Sequence, residues 1–541
     1  MTSITFPVLL LAACAPVAVR FTLHTVGVDS APGAAWVVHC ERGIALVFLV
    51  FIAWEARRLW RGTDTSVSPS GDMSWSRSVR LLLLVVPLLT YFAWFYRQAF
   101  VGLYLGDHDF TNISAALNQT ARGAGLLPSP YVHGGPGDTF LGHHFAPALF
   151  LFVPFYTIAG ALDQIGVHLS HGLYAGLLYL VFAIGVLLWA RVFQRELPEP
   201  FASSAVLVLV LAFPFWRIGA SFHFEVLVVP ASALLVGALP GRAGRWRFWA
   251  GALLLLAVKE DMAAYVLCIA LVFASRSESR GRGIALMIVC VVYGALALTA
   301  LGTLAPEQDL PWGAYWRDIW DTERTFAPGI MLVAAVGCLP LAAGRSFLLA
   351  LFPVLVLHAL SFHPWHQGLT GHYGYASLPA LLLVMLEGLR RLSSVRAGRL
   401  LLFVALAIVS LRAAVDRDTP VSPLAAHPDY PALAELVAGI PSGACVQSSF
   451  SASPHLGLRH RALPLLAPES HPGRLRHAPY LDPVHFTPGC GRRFLLIRTG
   501  APRPPHYIEE HLRALSEYGG RFGEPVVVGP WELFALSQGE L

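Results

Sequence analysis

The sequence predicts an α-helical polytopic membrane protein of roughly 11–13 spanning or re-entrant helices, with a small C-terminal α/β domain outside the bilayer. Three observations carry this. Of 541 residues, 55% are hydrophobic and only 13% charged, whereas a soluble domain has about 25% charged residues. Mean hydropathy is +0.59, and many windows supply the ~20 apolar residues that a crossing helix needs. Beyond Leu411 the composition shifts to Pro, His and Arg with short apolar runs. The net charge of +5 is modest, and the Arg residues sit in short loops between spans. That is a topology signal and gives no nucleic-acid surface.

Taken in order, spans are expected at 5–27, 35–57, 79–104, 168–191, 200–219, 222–240, 283–303, 328–343, 346–361, 373–390 and 398–414. The first, Ile4 to Val26, lacks a basic n-region and a clear cleavage site, so it reads as a retained span. Basic clusters mark one side: Arg57, Arg58 and Arg61; Arg191 and Arg195; Arg242, Arg245 and Arg247; Arg276, Arg280 and Arg282; Arg390, Arg391, Arg396 and Arg399. With these in the cytoplasm, the N-terminus is cytoplasmic, and loops 105–167, 304–327 and 362–372 and the C-terminal region lie outside. Parity then imposes two conditions. The apolar stretch Phe145 to Leu162, interrupted by Pro147 and Pro154, stays juxtamembrane or re-entrant. Residues 248–274, flanked by basic loops on both sides, enter and leave on the cytoplasmic side as two short helices joined at Lys259-Glu260-Asp261. Charge at that depth is tolerated when buried in protein or lining a wet cavity.

Three domains follow: 1–75, an N-terminal pair of spans with a cytoplasmic loop; 76–414, the transmembrane core; and 415–541, the outer domain. In the last, strands are expected near Ala444 to Gln447, Phe494 to Arg498, Pro525 to Val528 and Leu533 to Leu536, and helices near Tyr430 to Gly439 and His506 to Tyr518. Cys445 and Cys490 lie in this domain. An oxidising compartment permits a disulfide between them, and two buried free thiols are the alternative.

Four clusters could carry chemistry. Asp107-His108-Asp109 follows the span Leu81 to Leu105 and opens an interfacial helix with Phe110, Ile113 and Leu117 on one face. Asp109 could deprotonate an acceptor hydroxyl or hold a metal, assisted by Asp107 or His108; it could equally cap the helix. His143 and His144 open the juxtamembrane segment. Adjacent His side chains point apart on a helix, so they serve better as a phosphate contact, a proton shuttle or an interface anchor than as joint metal ligands. Lys259-Glu260-Asp261 is either a self-neutralising cluster at a helix break or a phosphate-contacting lysine oriented by a carboxylate. Finally, Phe222-His223-Phe224-Glu225 and His363, His366, His372 and Tyr373 sit at outer ends of spans, on the same side as Asp109. No CxxC, HExxH, P-loop or dinucleotide fingerprint occurs; no metal site is assigned, and a divalent cation stays open.

Asp109-Phe110, His144-Phe145-Ala146-Pro147, Phe222-His223-Phe224-Glu225, Val258-Lys259-Glu260-Asp261 and His372-Tyr373 resemble a bacterial and archaeal family of polytopic proteins known as domain of unknown function 2079, over roughly residues 80–540. That family is in turn similar to the membrane-embedded GT-C glycosyltransferases, which take sugars from polyprenyl-phosphate carriers. The resemblance implies a GT-C-like core in a bacterial inner membrane and a transfer on the extracytoplasmic face. The donor would be a lipid-linked sugar, and the acceptor stays open among lipid, glycan and protein. It implies Asp109 as the base; on the leading reading of the residues, Lys259 with His144 or His223 would stabilise the departing phosphate. Those enzymes often carry an Asp-Glu or Asp-x-Asp-like pair, for which Asp107-His108-Asp109 is an approximate counterpart. The competing readings are a transporter or lipid flippase with its site at Lys259-Glu260-Asp261, and a non-catalytic receptor or assembly factor on the same fold.

Overall fold

A computed structural model describes residues 74–103, 105, 108–128, 139–165, 172–238, 244–304, 327–361, 371–415, 427–449, 452–456, 461–464, 492–498 and 523–536. The expected N-terminal pair of spans, the helix expected at 506–518, and Asp107, His363, His366 and Cys490 lie outside these residues.

The chain begins with α1 (Ser74–Val101), followed by α2 (His108–Ala121). A helical turn, Phe140–His143, and a 3-10 turn, Pro147–Leu151, lead into α3 (Val153–Gln164). The interruptions fall where proline removes a backbone donor, at Pro147 and Pro154. So 145–162 is a broken, short-helical segment packed beside α2. Leu151, Phe155, Ile158 and Ile165 form its exposed apolar side, and Tyr156 on the other side shares a hydrogen bond with Ser114 of α2 at 3.0 Å.

Next come α4 (Leu173–Glu196), α5 (Phe201–Leu211), α6 (Phe213–Ala220) and α7 (Val228–Gly237), the last entered through a 3-10 turn at Phe224–Leu227. The expected span 200–219 is bent by 53° between α5 and α6, because Pro214 in the first turn of α6 cannot donate to the helix before it. Helices α8 (Arg245–Val258) and α9 (Met262–Ala274) follow, then α10 (Arg280–Leu304). Gly251 lets α8 press on α7: a Cβ there would stand 2.5 Å from the Leu235 nitrogen and 2.6 Å from the Ala231 oxygen.

Helices α8 and α9 fold back on each other as a helical hairpin, as expected for 248–274. Phe248, at the start of α8, lies 5.6 Å from Phe273, at the end of α9, ring centroid to ring centroid. The Arg282 guanidinium stands over the same Phe248 ring at 5.9 Å. Both ends of the pair therefore meet beside the basic loops. Each arm, 14 and 13 residues long, rises about 20 Å at 1.5 Å per residue. The tip is Lys259-Glu260-Asp261.

The remaining core helices are α11 (Ala327–Ala335), α12 (Phe352–Leu360), α13 (Leu378–Ser393) and α14 (Gly398–Val415). Among the described residues two unbroken helices, α4 and α10, have the length and apolarity of a crossing, and the bent pair α5–α6 adds a third. Of the other expected spans within the described residues, 79–104 and 398–414 run as the unbroken helices α1 and α14, whereas 222–240, 328–343 and 346–361 are divided by 3-10, π-helical or turn stretches. On α10, Ile284, Ile288, Val291, Val292 and Leu296 are 48–64% exposed, in register. A stripe of that kind needs an apolar solvent outside it.

The C-terminal domain contains α15 (Tyr430–Gly439) and a five-stranded sheet: β1 (Cys445–Ser448), β2 (Arg461–Pro464), β3 (Arg493–Arg498), β4 (Val526–Val528) and β5 (Trp531–Leu536). Its order is β2-β1-β3-β5-β4. Strand β1 is parallel to β2 and β3, and β5 is antiparallel to β3 and β4. The domain sits on the C-terminal end of α1. The His427 N–H donates to the Val101 carbonyl at 3.0 Å, Phe100 meets the His455 ring at 4.3 Å, and Leu103 joins the domain core. Cys445 is disulfide-bonded, and Cys268, Cys290 and Cys338 are free, so its partner lies outside the described residues.

Candidate functional site

The hairpin tip assembles the site. After Val258 the chain leaves the helix at Lys259, in extended conformation (φ −163, ψ 156), and resumes it at Met262. This three-residue interruption turns Lys259, Glu260 and Asp261 toward three other segments. Glu260 faces the His-Phe-x-Pro segment. Its Oε1 lies 3.1 Å from His144 Nδ1, and its Oε2 accepts the Phe145 backbone N–H at 2.9 Å. Lys259 Nζ stands 3.6 Å from Glu225 Oε1 and 5.5 Å from the centre of the Tyr375 ring. His223 Nδ1 is in direct contact with Glu225 Oε2. The Tyr375 hydroxyl donates to Asp261 Oδ2, while Asp261 Oδ1 is buried without a hydrogen-bond partner.

Local structure explains each approach. Phe222 sits at φ 53, the left-handed region that non-glycine residues avoid at a cost of about 1–3 kcal/mol. Its ring is held by stacking on Phe95 at 5.3 Å and by an edge contact to Tyr96 at 4.7 Å. That reversal turns His223 and Glu225 inward at the head of α7. His144 follows a single helical turn and is extended (φ −134, ψ 123). The expectation that His143 and His144 point apart holds only on a continuous helix; with the helix ending at His143, the two rings lie 4.3 Å apart.

Electrostatically the cluster is unbalanced. Glu225 is 0% exposed, Lys259 and Glu260 6% each, and Asp261 is partly buried. Three carboxylates stand against one ammonium, an excess of two acids before either histidine is protonated. Each ionised group costs about 2.5–3.5 kcal/mol to insert at mid-membrane depth, and a buried pair repays this only when its remaining lone pairs are met. Neither Glu225 oxygen has a hydrogen bond of ordinary geometry. The arrangement offers one cation, one carboxylate oxygen with an open lone pair and two histidines within proton-transfer reach of carboxylates.

Of the residues singled out from the sequence, His144, His223, Glu225, Lys259, Glu260 and Asp261 come together here, with His143 beside them. Tyr373 is partly buried in the 3-10 turn Gly371–Gly374, which also carries His372. Asp109 is the second residue of α2, inside the first turn rather than preceding it. The structure describes the backbone of His108, Asp109 and His372 and not their side chains. The residue that sequence reasoning missed is Tyr375, two positions beyond Tyr373, which clamps Asp261 and lies against Lys259. Among the described residues no three His, Cys, Asp or Glu side chains converge as a metal-ligand set. The two glycosylation-type sequons in α2 place Asn112 and Asn118 in buried positions.

The family described as "Predicted membrane protein (DUF2079)" matches residues 100–309 and 315–471, more than half of the chain, and takes in each segment of this cluster. The chain belongs to the DUF2079 family. It is accordingly a membrane protein, and the DUF2079 match covers the hairpin and the first two strands of the C-terminal sheet. No curated protein matches the chain. Among solved structures, that of ArnT from Cupriavidus metallidurans bound to undecaprenyl phosphate aligns at TM-score 0.47 and 11% identity, over 86% of this chain and 98% of ArnT. That overlap is too loose to assign chemistry.

Proposed function

We propose that this DUF2079 protein is a GT-C-like glycosyltransferase that moves a sugar from a polyprenyl-phosphate donor to a hydroxyl acceptor on the extracytoplasmic face. The observation that supports it is the buried cluster at the hairpin tip, where a lysine and a carboxylate with an open oxygen stand beside two histidines. The acceptor O–H attacks the anomeric carbon while the bond from that carbon to the phosphate oxygen breaks. The proton passes to a carboxylate, and the phosphodiester monoanion leaves as a phosphomonoester dianion. Lys259 meets the charge gained by the departing phosphate, exchanging its contact with Glu225, which keeps His223. Asp109 is the base assigned by family resemblance; Asp261, with Oδ1 open, is the second candidate. Glu260 holds the His144-Phe145 segment in place. The disulfide at Cys445 favours an outer location for the C-terminal domain, which orients the N-terminus and the arginine-rich loops to the cytoplasm. The plasma membrane of a bacterium fits that orientation.

The test is sugar transfer by purified protein in proteoliposomes with a polyprenyl-phosphate sugar donor. Asp109→Asn should abolish transfer with expression intact; full turnover by that variant removes Asp109 from the mechanism and leaves Asp261→Asn as the decisive variant.

One observation favours a transporter as the second reading. A re-entrant hairpin carrying an excess of acids to depth is also how a cation- or proton-coupled site is built. A flux assay on the same vesicles separates the two, since Asp261→Asn would then stop flux and leave no transfer to lose.

A further inference from the structure

The outer domain holds a second polar site, and its position follows from sheet topology. From β1 the chain passes to β2 on one side and returns to β3 on the other, all three parallel. That reversal places a topological switch point between β1 and β3. Outside the carboxyl ends of strands at such a point, open α/β sheets form their ligand crevice. The residues there are Ser448, the last of β1, Ser449, and Arg498, the last of β3.

Each of these residues carries an unmet polar atom, as does Gln447 earlier on β1. Ser448 is 0% exposed, yet its Oγ has no hydrogen-bond partner; the Ser449 Oγ and the Arg498 Nε also have none. A buried hydroxyl without a partner lowers stability unless a ligand meets it. Strand alternation puts Ser448 on the face of Val446, and Arg498 on that of Leu496, which are the residues packed against α15. The rim is completed by the segment leading into α15: Asp429 accepts from Arg498 Nη2, and His427 Nε2 is 3.3 Å from the same nitrogen. Trp531 lies under the guanidinium at 5.8 Å. Asp429 and Arg498 are each 21% exposed at the side chain and His427 28%, so the rim reaches solvent.

The chemistry of this set selects a ligand class. Arg498 is already neutralised by Asp429, so the edge is not a bare anion trap. It presents two hydroxyls, each able to donate or accept, one unused guanidinium donor and one carboxylate. Such a mixture matches a ligand that is itself rich in hydroxyls. We propose that the carboxyl edge of β1 and β3 is a saccharide-binding site, built from Ser448, Ser449 and Arg498 and rimmed by Asp429 and His427. It abuts the outer end of α1, where His427 is tied to Val101, just ahead of the helix that carries Asp109. The site does not rest on the donor chemistry at Lys259.

The experiment uses the full chain in detergent on an array of immobilised saccharides, followed by calorimetric titration of the best binder and of inorganic phosphate. The expected result is a bound saccharide whose affinity falls at least tenfold in Ser448→Ala/Ser449→Ala, with the melting temperature of that variant unchanged or raised. The proposal is overturned if the folded protein binds no saccharide, if the double variant binds it as well as the parent, or if inorganic phosphate alone occupies the edge.

Discussion

The two ends of the transmembrane core handle buried charge in opposite ways. At the arginine-rich end, Glu196 is met by Arg195 at 2.7 Å and by Arg390, and Glu387 by Arg390 at 2.6 Å and Arg276 at 2.7 Å. Two carboxylates share three guanidiniums, and the Arg276 and Arg390 side chains are 28% and 25% exposed, within reach of water. This network joins the end of α4, the α9–α10 turn and α13. At the hairpin tip the balance is reversed: three carboxylates share one lysine, Glu225 and Lys259 are almost sealed, and Asp261 Oδ1 has no partner. A network that only holds helices together has no reason to leave acids unmet. One that receives a substrate must keep some capacity unused, at a cost in stability.

The comparison makes graded predictions. The largest effect is expected from Lys259→Met, which removes the only lysine among three acids; breaking a buried pair costs about 3–5 kcal/mol, read as a large fall in melting temperature together with loss of transfer. An unchanged melting temperature would mean that the carboxylates are held neutral without the lysine. Glu225→Gln sharpens the contrast. It removes one excess charge while keeping the shape, so transfer should be lost while melting temperature holds or rises, the signature of a site that trades stability for function. At the other end, Glu387→Gln should lower stability by about 1 kcal/mol, as for a partly exposed ion-pair network, with transfer retained. A Glu387→Gln variant that folds well yet cannot transfer would erase the distinction between the two ends. The smallest stability effect is expected for Tyr375→Phe. It removes one donor from Asp261 and should cost roughly 1 kcal/mol or less, while changing turnover if Asp261 takes part in proton transfer and leaving it unchanged if Asp109 alone does.

Much of this was legible before the fold. Long apolar runs and Arg-rich loops located the core helices, and the parity of those loops alone required 248–274 to turn back at Lys259-Glu260-Asp261. His144, His223 and Glu225 were recognisable because polar residues at span ends are expensive. Tyr375 was not, since Tyr373 two positions earlier has the same composition and only the three-dimensional turn decides which ring reaches Asp261. The proximity of His143 and His144 depended on the helix ending at His143, with His144 extended, which the sequence does not mark. Strand β2, Arg461–Pro464, escaped because four residues with Arg and Pro show no alternation; its edge position in the sheet is what tolerates the proline. The switch point at β1 and β3 was invisible for the same reason, since without β2 the sheet has no reversal.

The central claim is that the hairpin-tip cluster handles a polyprenyl phosphate, and native mass spectrometry of the gently solubilised protein tests it most directly. The account predicts a co-purified polyprenyl phosphate, with or without its sugar, that persists in Glu387→Gln and is lost in a folded Lys259→Arg variant, whose planar fork differs from the compact ammonium. Ordinary phospholipids alone in the parent protein, or a polyprenyl phosphate held equally by both variants, would contradict it.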